Sequence, residues 1–379
     1  MSSEHRVLDL TCELTARPSV TPDDAGCQRL ICERMLPLGF DIEWFLCGDV
    51  SNVLITRGRG SPSLWFLGHT DVVPSGPEDM WTFLPFHPGE KEGELYGRGV
   101  ADMKGAVAAM VVALESFAKQ HPDHPGQLGL LLTSDEEGDA VDGIVRVTEE
   151  LQRRGKRPDY CLVGEPSSQE QLGDTVRIGR RGSIHARLQV NGIQGHTAFP
   201  QNLDNPAHRM APFLDELVDV EWDEGDDEFP ASHCQIASIK GGTGARNVTP
   251  AYVELLVNFR NGPESPADSI KAQFEFLLNK HVITDYELDW MVMGDPFRSH
   301  PGKLREAVVA AIEELLNRSP ELNTGGGTSD GRYIAPLGSE VLELGLINTT
   351  IHQIDERTPV ADLDRLQAVY YDIIRRILT

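Results

Sequence analysis

The sequence predicts an α/β fold with a second, smaller α+β domain inserted into it, and three observations support this prediction. Short apolar runs alternate with longer helical patterns in the first half of the chain, and the same alternation returns near the C-terminus. Between these regions the pattern changes to a strict alternation of apolar and polar residues, which is typical of a strand with one covered face. The length of 379 residues corresponds to two or three domains of roughly 150 residues each.

The two outer regions supply the elements of one sheet with helices on both faces. Buried strands are predicted over residues 64–67, 128–133, 160–163 and 341–344. Helices are predicted over residues 103–119, 141–154, 303–317 and 363–378, where apolar residues recur at helical spacing. We therefore assign residues 1–181 and 295–379 to one larger domain.

The middle region predicts a domain of a different class. Residues 183–190 alternate strictly, with Ile184, Ala186, Leu188 and Val190 on the face that is expected to be covered. The elements that follow are a helix over 206–218, strands over 234–239 and 252–260, a helix over 269–281 and a strand over 286–292. The order β-α-β-β-α-β is that of a ferredoxin-like unit, so we assign residues 182–294 to an inserted α+β domain.

Composition and charge exclude several classes of function. Lys and Arg total 34 against 59 Asp and Glu, which gives a formal net charge of −25. Such a surface repels anions, so we expect neither nucleic acid nor a membrane as a partner. The six cysteines are too sparse for a disulfide scaffold, and the N-terminus has no secretory pattern. The longest apolar stretch, near residues 106–114, is far shorter than the roughly 20 residues that span a bilayer, so we expect a cytoplasmic protein.

Acidic and histidine side chains follow four of the predicted strands, at the point where each strand ends. They are His69 and Asp71, then Asp135, Glu136 and Glu137, then Glu165, and finally His352, while Asp102 precedes a predicted helix. Ligands of open α/β sheets bind at the carboxyl ends of strands, and like charges gathered there repel one another unless a cation neutralises them. Two histidines and several carboxylates suit zinc or a similar divalent ion, and they are enough for two ions with a shared ligand.

Each of these residues has an alternative interpretation when it is taken alone. An aspartate before a helix is more often an N-cap than a ligand, adjacent glutamates in a loop are usually solvated, and a lone histidine is usually structural. Their coincidence at neighbouring strand ends favours the metal site. Asp71 would then accept the second ring N–H of His69. Because adjacent side chains of extended backbone point opposite ways, one of Glu136 and Glu137 can bind metal while the other acts as a general base.

The motifs around these residues resemble those of the dinuclear-zinc aminoacylase and metallopeptidase family, and the resemblance runs nearly from end to end. The motifs are GHTDVVP, GRGVADMKG, TSDEEGD, VGEP, RRGS, GHTAFP, GGTSDGR and IHQI. The resemblance implies a mixed-sheet, zinc-peptidase-like catalytic domain and an inserted dimerisation domain. It also implies two Zn²⁺ ions per subunit, with Co²⁺ able to substitute, a homodimer, and hydrolysis of an amide bond in a small-molecule substrate.

The resemblance also implies roles for the matching metal ligands. Asp102 would bridge the two zinc ions. His69 and Glu165 would complete one site, and Glu137 and His352 would complete the other. The family further implies a cis peptide bond after Asp102.

The same resemblance implies the catalytic groups. Glu136 would take a proton from the attacking water and pass it to the departing amine. His196, which lies in the inserted domain, would stabilise the oxyanion from the second subunit of a dimer. Asp71 would orient His69.

A substrate with several carboxylates needs local cations in a protein of this charge, and arginine binds carboxylates through paired N–H donors. Candidate arginines are Arg180, Arg181, Arg246, Arg260 and Arg332, although ordinary surface ion pairs are an equal alternative for each. By resemblance, the substrate contacts are Arg180, Ser183, Asn247, Arg260, Gly327, Thr328 and Asn348. The chain departs from related sequences at Phe199, where a tyrosine can occur, and at Asn261, which begins an Asn-Gly-Pro sequence.

Three other functions remain as alternatives. The nearest is another N-acyl-amino-acid deacylase on the same scaffold. A catalytically silent binding or scaffold protein would be favoured by the loss of a ligand, yet Glu136 and every expected ligand position are filled. A metal-dependent phosphatase ranks last, because no arginine and helix arrangement for a phosphate is evident.

Overall fold

The structure, a computed structural model, describes residues 6–379. The helices are α1 Arg6–Thr15, α2 Cys27–Met35, α3 Lys104–Gln120, α4 Ile144–Arg153, α5 Pro206–Val218, α6 Ala267–Lys280, α7 Lys303–Leu316, α8 Gly331–Ile334 and α9 Val360–Leu378. The strands are β1 Asp41–Cys47, β2 Val50–Gly58, β3 Ser63–His69, β4 Gly89–Lys91, β5 Glu94–Tyr96, β6 Gln127–Thr133, β7 Tyr160–Val163, β8 Thr175–Arg177, β9 Gly179–Arg180, β10 Gly182–Asn191, β11 His233–Gly241, β12 Tyr252–Asn261, β13 Tyr286–Gly294, β14 Phe297–Arg298, β15 Glu321–Asn323, β16 Glu340–Glu343 and β17 Arg357–Pro359.

The chain forms two compact units. The first contains the residues up to Gly179, together with Ser299–Asn323 and Ser329–Thr379. The second contains Arg180–Arg298 and Thr324–Thr328. The predicted α/β class with an inserted α+β domain is confirmed.

The first unit is built on a mixed eight-stranded sheet in the order β1-β2-β6-β3-β7-β16-β8-β15. Strand β3 pairs in parallel with both β6 and β7, and β16 pairs in parallel with β7. Strand β2 is antiparallel to β1 and to β6. The parallel pairing brings the carboxyl ends of β3, β6, β7 and β16 to one edge of the sheet, which is the edge where ligands bind in α/β folds.

Continuous burial explains why the central elements of this unit form as they do. Every residue of β3 is buried, as expected for a parallel strand that is covered on both faces. Helix α3 is buried on nearly all sides, because small and apolar residues surround its axis and it contacts α1 and α9. Its short side chains allow close helix packing, and its N-terminus lies directly after Asp102.

The second unit has a four-stranded antiparallel sheet in the order β11-β12-β10-β13. This strand order, with α5 and α6 between the strands along the chain, confirms the predicted ferredoxin-like unit. Alternate residues of β10 and β12 are buried and pack with α5 and α6 in one apolar cluster. Helix α5 begins where the side chain of Asn205 accepts a hydrogen bond from the N–H of Ala207, with Pro206 at its first position.

The second unit is larger than the predicted inserted segment of residues 182–294, and it includes a piece of chain from the Gly-rich loop. Two hydrogen bonds hold that piece. The guanidinium of Arg180 donates to the carbonyl oxygen of Gly325 at 2.8 Å, and the hydroxyl of Thr324 donates to the carbonyl oxygen of Glu228 at 2.6 Å. These contacts join residues about a hundred or more positions apart, which sequence patterns do not reveal.

Two further expectations concern the whole chain. Across residues 6–379, no helix combines the length and apolar character that are needed to cross a membrane. The six cysteines, all of which are described, are free thiols. Burial raises the pKa of the Cys161 thiol, so this thiol is protonated and unreactive near neutral pH.

Candidate active site

The predicted metal ligands lie at the shared carboxyl edge of the central strands. Strand β3 ends at His69, and the N–H of Thr70 donates to the carbonyl oxygen of Thr133 at the end of β6. The N–H of Gly164, which precedes Glu165, donates to the carbonyl oxygen of Leu67. Backbone hydrogen bonds therefore continue past the strand ends and fix the loops that carry the acidic and histidine side chains.

Asp102 lies between two histidines. Its Oδ1 atom is 3.3 Å from Nε2 of His69, and its Oδ2 atom is 3.3 Å from Nε2 of His352. Nε2 of His69 is also 3.6 Å from Oε1 of Glu165, and Nε2 of His352 is 2.9 Å from Oε1 of Glu137. A carboxylate with one oxygen toward each of two His–Glu pairs has the geometry of a bridging ligand between two sites.

Within residues 6–379, two groups of ligand atoms are compact enough to hold an ion. In each group the atoms lie within 4.8 Å of one another, and the groups are His69, Glu136 and Glu165, and His69, Asp102 and Glu137. Imidazole nitrogen and carboxylate oxygen are the donor types that zinc and related divalent ions take, and the set is largely buried. The residues present therefore fit the binding of a divalent metal, and because His69 belongs to both groups, the number of ions is part of the proposal below.

Burial and charge displace the pKa values in this cluster. Burial raises the pKa of Glu136 and of Glu165 well above the usual range, and neighbouring carboxylates raise them further. Burial lowers the pKa of His69, but its hydrogen bond to Asp102 and nearby acidic charges outweigh this, so its pKa lies well above the usual value. Hydrogen bonds to two carboxylates raise the pKa of His352 to about 10. Bound cations would relieve this excess of buried negative charge.

Asp71 differs from its predicted geometry in one respect. The ring Nδ1 of His69 lies 2.9 Å from the main-chain carbonyl oxygen of Asp71, whereas the nearer carboxylate oxygen is 3.6 Å away. The carboxylate accepts the N–H groups of Glu137 at 3.1 Å and Glu136 at 3.4 Å. Asp71 therefore orients His69 mainly through its backbone, and its side chain holds the loop that carries the two glutamates.

Glu136 and Glu137 lie in a bend and not in the extended backbone that was expected, and each offers a carboxylate oxygen to a group of ligand atoms that includes His69. A carboxylate oxygen of Glu137 meets His352, while Glu136 lies on the side of His69 and Glu165. The predicted cis peptide bond after Asp102 is present between Asp102 and Met103.

Asp330 is a buried acid that the sequence analysis did not select. It is 3% exposed, and neither carboxylate oxygen has a hydrogen-bond partner within the part of the chain that the structure describes. Burial raises its pKa to about 7, and the charges of Asp71 and Asp135 contribute in the same direction. The signal that could have found it is the GGTSDGR motif, from which we selected Gly327, Thr328 and Arg332 as candidates but not the acid between them.

In the second unit, His196 and Asn247 form one exposed corner. Nε2 of His196 lies 3.3 Å from the side-chain amide nitrogen of Asn247, and the N–H of Ala198 donates to Nδ1 of His196 at 3.1 Å. The ring of Phe199 packs edge-on against His196 with a centroid distance of 5.5 Å. Phe199 is 53% exposed, so it offers an apolar surface beside the histidine where a tyrosine would add a hydroxyl.

The remaining candidates for substrate contact lie in three places. Ser183 is opposite Arg260 in the β10–β12 pairing, and Arg180 is buried against Gly325 near Gly327 and Thr328. Burial and the charge of Arg260 lower the pKa of Arg181, which indicates that these two cations are close.

Asn348 belongs to the first unit, where its N–H donates to the carbonyl oxygen of Ser168. Arg246 is exposed in a loop of the second unit, and Arg332 lies over the ring of Tyr333 in the first.

The departure at Asn261 has a structural explanation. Its side chain is buried, and the amide nitrogen donates to the carbonyl oxygen of Ser265 at 2.8 Å. The following residue, Gly262, donates its N–H to the hydroxyl of Ser232. Asn261 therefore closes the turn after β12 and does not present its side chain for a ligand.

The fold and the paired ligand groups define a metal-dependent hydrolase, and comparisons with known proteins agree. The family model of peptidase family M20/M25/M40 matches residues 65–376. Succinyl-diaminopimelate desuccinylase of Stenotrophomonas maltophilia strain K279a is 51% identical over 372 residues, which cover 98% of this chain and 99% of the relative. The chain therefore belongs to peptidase family M20/M25/M40, and the family resemblance seen in the motifs is confirmed.

Solved structures agree with the fold. Aminopeptidase PepT from Bacillus cereus ATCC 10987 has a TM-score of 0.79 at 20% identity, with 98% of each chain covered. The Bacillus subtilis YXEP protein, described as a dinuclear metal binding peptidase from the M20 family, has a TM-score of 0.75 at 13% identity, again with 98% of each chain covered. At these identities the likeness concerns the architecture.

Proposed function

We propose that this chain hydrolyses N-succinyl-L,L-2,6-diaminopimelate to succinate and L,L-2,6-diaminopimelate, a step of lysine biosynthesis through diaminopimelate. The observation that carries the proposal is the 51% identity with a desuccinylase over 98% of the chain, in a sequence that has a histidine or an acidic residue at every expected ligand position. An acetylornithine deacetylase is the nearest alternative, and no observation favours it over the desuccinylase.

The proposed metal centre uses residues of the first unit only. Asp102 would bridge two Zn²⁺ ions, with His69 and Glu165 on one and Glu137 and His352 on the other, and Co²⁺ would be accepted in place of zinc. Such ions, when bound, supply Lewis-acid polarisation of the amide carbonyl and lower the pKa of water. The arrangement of Asp102 between the two His–Glu pairs supports this division.

Glu136 is the proposed general base. A carboxylate oxygen of Glu136 would accept a proton as the water oxygen attacks the amide carbon. The same group would then donate that proton to the amine nitrogen as the carbon–nitrogen bond breaks. Burial raises the pKa of Glu136 well above its usual range, which makes its carboxylate a stronger base than that of an exposed glutamate.

His196 is the proposed donor to the oxyanion. Because the N–H of Ala198 donates to Nδ1, the neutral ring carries its proton on Nε2, and Nε2 is then a donor. The Asn247 amide, turned so that its oxygen faces Nε2, would hold that tautomer until substrate is bound. We further propose a cytoplasmic homodimer in which the histidine acts on the substrate that is held by the other subunit.

Arginines of the second unit are proposed to bind the carboxylates of the substrate. Arg180, Arg181 and Arg260 concentrate positive charge near Ser183 in a chain with a net charge of −25. Arginine holds a carboxylate through two parallel N–H donors, which selects a dicarboxylic acyl group over a neutral one.

The proposal is tested by comparing turnover of N-succinyl-diaminopimelate and N-acetylornithine with the zinc-loaded protein. We expect kcat/KM to favour the succinyl substrate by about a hundredfold or more, since an acetyl group offers no carboxylate to the partly exposed guanidinium groups of Arg181 and Arg260. A preference for the acetyl substrate would replace the assignment with a deacetylase. Absence of turnover on either substrate, with two ions bound, would favour a binding protein.

A further inference from the structure

A buried carboxylate outside the proposed ligand set holds the loop that carries Asp102. Glu356 is completely buried, and its carboxylate accepts four hydrogen bonds. Oε1 accepts from the backbone N–H groups of Ala101 at 2.9 Å and Asp102 at 3.0 Å. Oε2 accepts from the guanidinium of Arg98 at 2.8 Å and from the N–H of Gly99 at 3.0 Å.

The sequence of this loop is adapted to the buried carboxylate. Gly99 has a φ of +89°, and a Cβ atom there would lie 2.7 Å from Cγ1 of Val72. A glycine therefore lets the backbone turn its N–H toward Glu356. Arg98 is itself buried, and its guanidinium lies 5.1 Å from the ring centre of Trp81, which donates its indole N–H to the carbonyl oxygen of Ser75.

Glu356 also lies four residues after His352, on the same segment. Between them, Asp355 accepts the N–H of Thr82 at 2.6 Å and its hydroxyl at 2.8 Å. The segment 352–356 thus contributes the proposed metal ligand His352 and fixes the backbone of a second ligand, Asp102. It also holds the loop that follows His69 in the sequence. Contacts of this kind couple three motifs that are far apart in the chain.

We propose that Glu356 is a positioning residue that, paired with Arg98, sets the orientation of Asp102 between the two metal sites. The inference rests on the proposed metal centre, which it deepens. A displacement of the Ala101–Asp102 backbone moves the bridging carboxylate relative to both His69 and His352, so binding of both ions depends on Glu356.

A charged carboxylate is required because both of its oxygens accept hydrogen bonds. In Glu356→Gln, the amide oxygen can accept on one side only. The NH₂ group on the other side then faces either two backbone N–H groups or an N–H and a guanidinium, which are all donors. At least two of the four hydrogen bonds are lost, and a buried donor is left unpaired.

The experiment measures metal binding by the full-length protein after removal of bound metal. Wild type, Glu356→Gln, Arg98→Lys and the control Glu115→Gln are titrated with Co²⁺ by calorimetry and by visible absorption. Thermal unfolding of each metal-free protein is recorded in parallel. Glu115 is a matched control because it is also a buried acid paired with an arginine, Arg34 at 2.9 Å, roughly 17 Å along α3 from its first residue.

We expect Glu356→Gln to bind both ions at least about tenfold more weakly and to change the Co²⁺ absorption, as loss of a group that orients a ligand does. Arg98→Lys should weaken binding by a smaller factor, and Glu115→Gln should bind as wild type does, whatever its thermal stability. Wild-type affinity and absorption in Glu356→Gln would overturn the inference. If that variant is insoluble, unchanged binding by Arg98→Lys overturns it and weaker binding supports it.

The result also separates this inference from the proposed function. Failure of the wild type to bind two ions would remove the proposed centre and the role of Glu356 together. Two bound ions without turnover of the succinyl substrate would remove only the substrate assignment, and the comparison of variants would still decide the role of Glu356.

Discussion

The two units hold their candidate functional groups in contrasting ways. In the first unit, His69 is 1% exposed and makes contacts through both ring nitrogens to groups that are themselves fixed. In the second, His196 and Asn247 are exposed, and the contacts of the His196 ring are to Asn247 and to the neighbouring residues Ala198 and Phe199. Buried groups with several partners keep one geometry, as a metal centre requires, whereas exposed groups are accessible to a substrate. The contrast predicts that changes in the first unit alter metal and proton chemistry, and that changes in the second leave metal content intact.

Removal of metal should have the largest effect. Chelation of the full-length protein is expected to abolish turnover, because no ion then polarises the amide carbonyl or lowers the pKa of water. Addition of Zn²⁺ or Co²⁺ should restore it and raise the thermal midpoint, since a ligand that binds only the native state stabilises it. Mg²⁺ serves as the control, because it prefers all-oxygen sites. Full activity in the chelated, metal-free protein would exclude a metal centre of catalytic importance.

Glu136→Gln should have the next largest effect. We expect kcat to fall by about a thousandfold with two ions still bound, because the amide cannot accept a proton from water. Metal content and kcat are measured on the same sample. Glu170→Gln, an exposed glutamate of the first unit, is the control. A variant with more than a tenth of wild-type turnover would show that Glu136 is not the base.

His196→Ala should reduce kcat by about a hundredfold, as loss of one oxyanion donor does, without changing metal content. His233→Ala is the control, since it removes another exposed histidine of the same unit. Loss of metal in His196→Ala would contradict the contrast between the units.

Mixing the two inactive variants tests the dimer. If His196 acts on the opposite subunit, a mixed dimer of Glu136→Gln and His196→Ala contains one site with both groups intact, and activity should return. If the histidine acts within its own subunit, every site in the mixture stays defective and no activity returns.

Asp330→Asn should have the smallest effect, which we expect on the free energy of unfolding. Since folding raises the pKa of Asp330 to about 7, ionisation favours the unfolded chain between about pH 4 and pH 7. Wild type therefore loses stability relative to Asp330→Asn as the pH rises through that window, by roughly 2–4 kcal/mol. Denaturant unfolding of the metal-free proteins at pH 4 and pH 8 measures the difference, with Asp123→Asn as an exposed control. An equal difference at both pH values would contradict the prediction.

Patterns along the sequence predicted the central elements well. Strands β3, β6 and β7 are parallel and covered on both faces, so each appears as a short apolar run, and their ends fix where polar ligands follow. Edge strands such as β1, with partly exposed residues on both faces, gave no comparable signal. Helix α4 begins at Ile144, three residues later than predicted, because residues 141–143 form a bend.

The parts of the site that were missed depend on contacts between distant residues. Glu356 and Arg98 are separated by 258 positions, and neither has a local pattern that indicates a buried pair. Asp330 carries no periodic signal either, because its burial comes from tertiary packing. Which atom of Asp71 meets His69 is likewise a matter of backbone geometry. The proposed roles of the ligands, of Glu136 and of His196 stay predictions until the experiments above are done.

The Gly-rich piece Thr324–Thr328 belongs to the second unit although both of its neighbours in the chain belong to the first. Substrate preference therefore cannot be transferred by exchanging one continuous segment of the chain. Consider a chimaera that receives only the segment equivalent to Arg180–Arg298 from a relative of different specificity. It would combine the relative's counterparts of Arg180 and Glu228 with Gly325 and Thr324 of this chain. A functional graft has to carry both pieces, and natural variation in the two should be correlated.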